Sequence, residues 1–291
     1  TSLSFHWCLL GLFDGVQFST GLALLGRRVR RGAYGRVHGL RMAANALGTA
    51  SAPLMVSVAS VGWRPVFILT AMFTVVATIG FLLGVPAEPD PEPCRAEDRR
   101  APSTGEKGLS GLLAGLVALT CLVAVAGQSL TSFTQQFLVT ERHFSIRDSA
   151  ALLTVLMVLG VLGPPLWGHV SDRFGRRLAL VSALGAHSAG ILAISLLPPG
   201  WMLVASFVVL GLVRSAVYPV AYALISEKFP ESQGRIFGLS ACLAQLSGAL
   251  GLLAVGHLAE SHGFITVFPA LAVVPAAGVI LVLAIERRSR Q

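Results

Sequence analysis

The chain has 291 residues, 54% of them hydrophobic and 12% charged, with a net charge of +8 and a mean hydropathy of +0.74. A soluble domain carries about 25% charged residues, so this chain cannot cover itself with a solvated surface and reads as an all-α, polytopic membrane protein. The positive balance does not point to nucleic acid, because most of it sits in short loops between apolar runs, as orientation signals do. The opening Thr1-Ser2-Leu3 leads straight into an apolar run without a basic leading region or cleavage site, so no signal peptide is read and upstream sequence is expected. A run of roughly 20 apolar residues crosses a bilayer as a helix, and nine are predicted, at about 3–26, 36–61, 65–85, 109–139, 148–170, 178–197, 201–226, 235–259 and 264–285.

The first span carries Asp14 within Gly11-Leu12-Phe13-Asp14-Gly15. In the second, Ala44, Gly48 and Ala52-Pro53 recur at four-residue spacing, which gives a groove for a close-packed helix. Pro86 to Pro93 is proline-rich and acidic and is followed by arginines, so residues 86–107 are expected to be an extended cytoplasmic linker between a three-span part, 1–85, and a six-span part, 108–291. The fourth span holds a polar patch in which Gln128, Ser132 and Gln135 share one face, a face that lipid would not accept. Between the fifth and sixth spans lies Gly168-His169-Val170-Ser171-Asp172-Arg173-Phe174-Gly175-Arg176-Arg177. Gly168 allows close approach of two helices, Gly175 a tight reversal, and Asp172 suits a neighbouring helix N-terminus. The seventh span carries Arg214, Tyr218 and Tyr222 at i, i+4 and i+8, offering a guanidinium and two phenols on one helix face to a carboxylate or aromatic solute; tyrosines that bridge helices are the alternative.

The loops alternate in charge. One side collects 18 Lys and Arg residues and the other only Arg64, Arg142 and Arg147, which makes the rich side, and with it the C-terminus, cytoplasmic. Arg173, Arg176 and Arg177 belong to the rich side. Four cysteines, Cys8, Cys94, Cys121 and Cys242, lack metal-ligand spacing and are expected to be reduced packing residues.

The chain also repeats. Leu10-Gly11-Leu12 corresponds to Leu210-Gly211-Leu212, and Gly35-Arg36-Val37-His38-Gly39-Leu40 to Gly234-Arg235-Ile236-Phe237-Gly238-Leu239, so spans one to three echo spans seven to nine. The loop pattern G-x-x-x-D-R-x-G-R-R resembles the short cytoplasmic loop of the major facilitator superfamily, and Gly62-Trp63-Arg64-Pro65-Val66-Phe67 resembles its G-W-R-x-x-F between helices five and six. The resemblance implies twelve helices in two six-helix halves, of which the nine spans would be helices four to twelve. It implies a secondary transporter of a small organic solute working by alternating access, proton-coupled, multi-pass in the plasma (inner) membrane and monomeric, with lipid, solute and protons as partners and no cofactor, metal or nucleic acid.

By the repeat, Asp14 and Arg214 hold equivalent positions in the two halves, and the resemblance implies that their helices line a central cavity. An ionisable residue inside a span is costly and functional by default. Asp14 is the proton-coupling candidate, paired with Arg214 or with substrate, the alternative being a fixed ion pair. Gly11 to Gly15 resembles the G-x-G-E-G of organic-anion/proton symporters, with Phe13 and Asp14 as departures and Trp7 where many relatives place Arg; His6 beside it could titrate. The stripe through Ala44, Gly48 and Ala52-Pro53 resembles a degenerate exporter motif, so direction stays open. Asn45 and Gln245, also related by the repeat, read as interhelical hydrogen-bond partners. Two other classes remain: an inactive or sensory truncated relative, and an integral-membrane enzyme using His169 and Asp172 as metal ligands.

Overall fold

The computed structural model describes residues 21, 33–58, 63–84 and 106–289. Every regular element among them is a helix: α1 (Tyr34–Val58), α2 (Trp63–Gly84), α3 (Glu106–Thr140), α4 (Ile146–Phe174), α5 (Arg176–Leu196), α6 (Trp201–Val213), α7 (Val217–Lys228), α8 (Gln233–His262), α9 (Phe264–Ala270) and α10 (Val273–Ser289). Six stretches of the described residues are long and apolar enough to cross a membrane: Gly111–Thr140, Ile146–Phe174, Arg176–Leu196, Trp201–Lys228, Gln233–His262 and Phe264–Ile285. They coincide with predicted spans four to nine. The second and third predicted spans are occupied by the helices α1 and α2, while the first, with Asp14, lies outside the described residues, as does the linker up to residue 105.

The chain falls into two compact units, residues 1–46 with 105–291, and residues 47–104. In the second unit, every described side chain of α2 from 71 to 80 is exposed, including Phe73, Val76 and Ile79, an apolar surface suited to lipid. In the first unit, the six membrane-length stretches bury their cores against one another. Phe137 stacks on Phe268 at 4.4 Å, and Phe207, Leu210, Leu156 and Ile191 close the same cluster. A second cluster gathers Leu116, Tyr222, Ile225 and Phe237, and a third Leu119, Leu184, Val217 and Val220.

Two predicted spans are not continuous helices. The seventh breaks at residues 214–216 and the ninth at 271–272. Each break is met four residues later by a proline: Pro219 cannot donate to Ser215 O, nor Pro275 to Leu271 O, and each ring crowds that carbonyl. α4 tolerates Pro164 and Pro165 without interruption, at the cost of the bonds to the carbonyls of Gly160 and Val161.

Glycines set the helix spacing where helices touch. A Cβ on Gly163 would strike the carbonyl of Leu212, and one on Gly211 would lie 2.8 Å from the carbonyl of Leu156, so α4 and α6 meet backbone to backbone. Gly190 of α5 makes room for the side chain of Leu210 of α6, whose Cδ1 would lie 2.9 Å from a Cβ there.

Candidate functional site

Two groups of polar residues stand out in the first unit. The first is built around Asp172 at the end of α4, whose carboxylate side chain is 4% exposed. Its Oδ1 accepts from the backbone N–H of Gly35 at 3.1 Å and its Oδ2 from that of Arg36 at 2.9 Å, so it caps the first turn of α1 across more than 130 residues of chain. Arg176 donates to Asp172 at 2.6 Å and, through its other terminal nitrogen, to Glu227 of α7 at 2.6 Å. The arrangement needs three glycines, Gly35 among them, where a Cβ would lie 2.5 Å from the carbonyl of Gly168. A Cβ on Gly168 would collide with the carbonyl of Gly35, and one on Gly39 would lie 2.5 Å from the carbonyl of Pro164, so α1 lies directly on α4.

The other loop residues have different duties. Gly175 takes φ 94°, a conformation that favours glycine, and closes α4 through its N–H to Ser171 O at 3.2 Å while opening α5. Arg173 is exposed and lies 5.6 Å from the Phe174 ring centre, and Arg177 is exposed. Sequence reasoning singled out this loop but missed Glu227, which sits more than 50 residues on and has no local pattern to mark it.

One turn deeper, His38 Nε2 and Ser226 Oγ are 3.0 Å apart, and both side chains are buried. Tyr34, Tyr222 and Phe237 surround the imidazole, with ring centres at 6.3, 6.2 and 5.9 Å. No signal in the sequence joins His38 to Ser226, 188 residues away.

The second polar group lies inside the helices. Arg214, at the α6–α7 break, donates to Thr131 Oγ1 at 3.1 Å and reaches Met157 Sδ at 3.6 Å, while its Nε is buried without a partner. Gly160 makes room for it: a Cβ there would lie 3.1 Å from Nε and from Nη2. Among the described residues Arg214 has no carboxylate partner. Thr131 belongs to the polar patch read in the fourth span, but nothing in the sequence ties it to Arg214; Met157 and Gly160 carry no signal, because a thioether and a glycine are ordinary in an apolar span.

The helix break divides the expected stripe of Arg214, Tyr218 and Tyr222, which does not run along one continuous helix. Tyr218 and Tyr222 remain neighbours on α7, with ring centres 6.0 Å apart, but Tyr222 is 2% exposed and turns to the His38 cage instead of standing beside Arg214. Gln128 donates to Gln245 Oε1 at 2.9 Å, joining α3 to α8, and lies over Gly248. Ser132 is exposed and Gln135 half-buried, and neither meets Arg214 in a hydrogen bond. Asp14, His6 and Trp7 lie outside the described residues. Cys121 and Cys242 are free thiols, and no group of three or more His, Cys, Asp or Glu among the described residues gathers as a metal site.

Comparison with known proteins agrees with the helical membrane build. A family model described as Major Facilitator Superfamily matches residues 2–117 and 116–291. An uncharacterized MFS-type transporter of Bacillus subtilis, YfnC, is 31% identical over 142 residues, 48% of this chain and 34% of that protein. An uncharacterized MFS-type transporter of Mycobacterium tuberculosis is 25% identical over 297 residues, 96% of this chain and 64% of its own length. The multidrug resistance protein MdtG of Proteus mirabilis is 26% identical over 214 residues, 71% of this chain and 52% of its own length. The chain thus spans less than two thirds of each of these relatives.

Proposed function

Because this integral, multi-pass membrane chain belongs to the major facilitator superfamily, a family of transporters and not of enzymes, we propose that the full-length protein is a proton-coupled secondary transporter of a small organic solute. It works by alternating access, as a monomer in the plasma membrane. In this reading residues 1–85 belong to the N-terminal half, 86–107 link the halves, 108–291 form the C-terminal six-helix half, and the nine spans are helices four to twelve. Asp172 clasps the cytoplasmic start of α1 when that side is closed.

The observation that carries the reading is Arg214: a guanidinium deep among helices, bonded to a hydroxyl and a thioether and, among the described residues, to no carboxylate. A cation in such a place calls for an anion. A carboxylate on the solute supplies it in one state and Asp14 in the other, so solute binding frees Asp14 to take a proton and the two events are linked. Two of the three relatives named above are known only as MFS-type transporters and one as a multidrug resistance protein, which supports transport of an organic solute.

The test is uptake by proteoliposomes holding the full-length protein under an imposed pH gradient, with benzoate as an aromatic anion and ethidium as an organic cation. We expect gradient-driven accumulation of benzoate, lost in Asp14→Asn while exchange at equal pH persists, and benzoate binding weakened in Arg214→Ala. The double variant is expected to lose less than the sum of the singles. Uptake of ethidium alone, unaffected by Arg214→Ala, would overturn the anion reading, and flux of neither solute would overturn transport of this class. Cysteines introduced as Asp90→Cys and Ser289→Cys should label from the cytoplasm only, and Ser145→Cys from outside only.

A further inference from the structure

His38 is 1% exposed and Ser226 1%, yet both are polar and belong to helices far apart in sequence. Gly35 and Gly39, on either side of His38, let α1 lie against α4, and this seating is what brings the imidazole to α7. Gln233 Nε2 donates to the carbonyl of Ser226 at 3.3 Å and ties that turn of α7 to the start of α8. Around the pair, Tyr222 and Phe237 meet edge to face at 5.4 Å, and the Tyr34 ring lies tilted beside the imidazole, 6.3 Å between centres. A polar pair in such a cage has two acceptable arrangements. Joined, each group satisfies the other in a dry site; parted, each is satisfied only by entering water. An intermediate that is parted and dry leaves two more buried groups unpaired and is disfavoured by their desolvation. His38 Nδ1 is already buried without a partner, so the Nε2 bond to Ser226 is the one polar contact the ring has among the described residues.

We propose that His38 and Ser226 form a second, uncharged latch beneath the Asp172 clasp, joined when α1 is seated on α4 and α7, and parted by water entering between Tyr34, Tyr222 and Phe237 when that end opens. This inference rests on the alternating-access reading above. His38 is in this sense a positioning residue: it holds the seated state and touches no solute.

The test reads the opening itself, without a solute. In a cysteine-free full-length protein, Ser240→Cys places a thiol at a fully buried position on α8, three residues beyond Phe237. Its reaction with a membrane-impermeant maleimide is followed in inside-out vesicles. Ser226→Ala, which removes one oxygen, is expected to raise the labelling rate about five-fold, the change that losing one buried hydrogen bond of roughly 1 kcal/mol imposes on a two-state equilibrium. His38→Phe, which keeps the cage filled, is expected to do the same, and the double variant no more than either single. Unchanged labelling in both single variants, or additive increases in the double, would overturn the latch. Because labelling needs no solute, normal benzoate uptake with unchanged labelling removes the latch alone. The expected labelling pattern without any uptake keeps the latch and removes the transport reading.

Discussion

The two ends of the six-helix region use the same chemistry for different purposes. At one end Arg142 donates to the carbonyls of Ser195 and Leu197, closing the C-terminus of α5, and Glu141 accepts from the N–H of Phe264 at the start of α9 at 3.2 Å. Ser145 caps α4 through the N–H of Asp148 at 3.0 Å. Every partner there lies between residues 141 and 264, so the stitches hold the six-helix region to itself. At the other end Asp172 and Ser226 reach residues 35, 36 and 38, on a helix more than 130 residues earlier in the chain. A charged group on a helix end thus joins neighbours within one stretch of chain at one end and, at the other, segments far apart in sequence; in the proposed function the first is a fixed seam and the second a releasable clasp.

That contrast can be broken from the clasp side first. Gly168→Leu drives a side chain into the backbone of Gly35, and transport by the full-length protein is expected to fall below measurement while the protein still inserts, with the Ser240→Cys thiol labelling faster than in any other variant. Asp172→Asn comes next. It weakens charge-assisted bonds to two N–H groups and to Arg176, each worth about 1.5–3 kcal/mol, so uptake should drop at least about ten-fold with normal membrane insertion. Wild-type uptake in the Asn variant would remove the clasp.

The seam should answer differently. Arg142→Ala leaves two helix-end carbonyls without their donor, at a cost of about 1–3 kcal/mol, and is expected to lower Tm by several degrees without changing the labelling of the Ser240→Cys thiol. Faster labelling in this variant would erase the distinction between the ends. The smallest effect belongs to Ser145→Ala, the loss of one N-cap worth about 1 kcal/mol, seen as a slight drop in Tm at unchanged uptake.

What could be read from the sequence follows from what a bilayer imposes. Spans four to nine were legible because lipid demands about 20 apolar residues in a row, a signal no other constraint produces. Asp172, Gly168 and Gly175 were legible because turn, cap and close approach each restrict the residue type and fall within ten residues. The breaks at Ser215 and Leu271 were not read, although Pro219 and Pro275 mark them, because a hydropathy window averages over a proline that leaves the span apolar. The surroundings of Arg214 and the His38–Ser226 pair were beyond reach for a different reason: their partners are fixed by packing between distant helices, neither Gly160 nor Ser226 is unusual where it stands, and Thr131 is one of several polar residues in its span.

The interruption at residues 214–216 also has a mechanical side. α7 is 12 residues long, about 18 Å at 1.5 Å per residue, and Ser226 lies near its far end. In the proposed latch it acts as an arm that pivots at the break, beside the buried guanidinium. A tilt of about 10° at the fulcrum carries the Ser226 hydroxyl roughly 3 Å, enough to take it out of hydrogen-bond range of His38. On that reading a shift at Arg214 too small to disturb the packing of α6 on Gly163 and Gly190 is magnified into a parted or joined contact some 18 Å away, with no need for a chain of intermediate side chains to relay it.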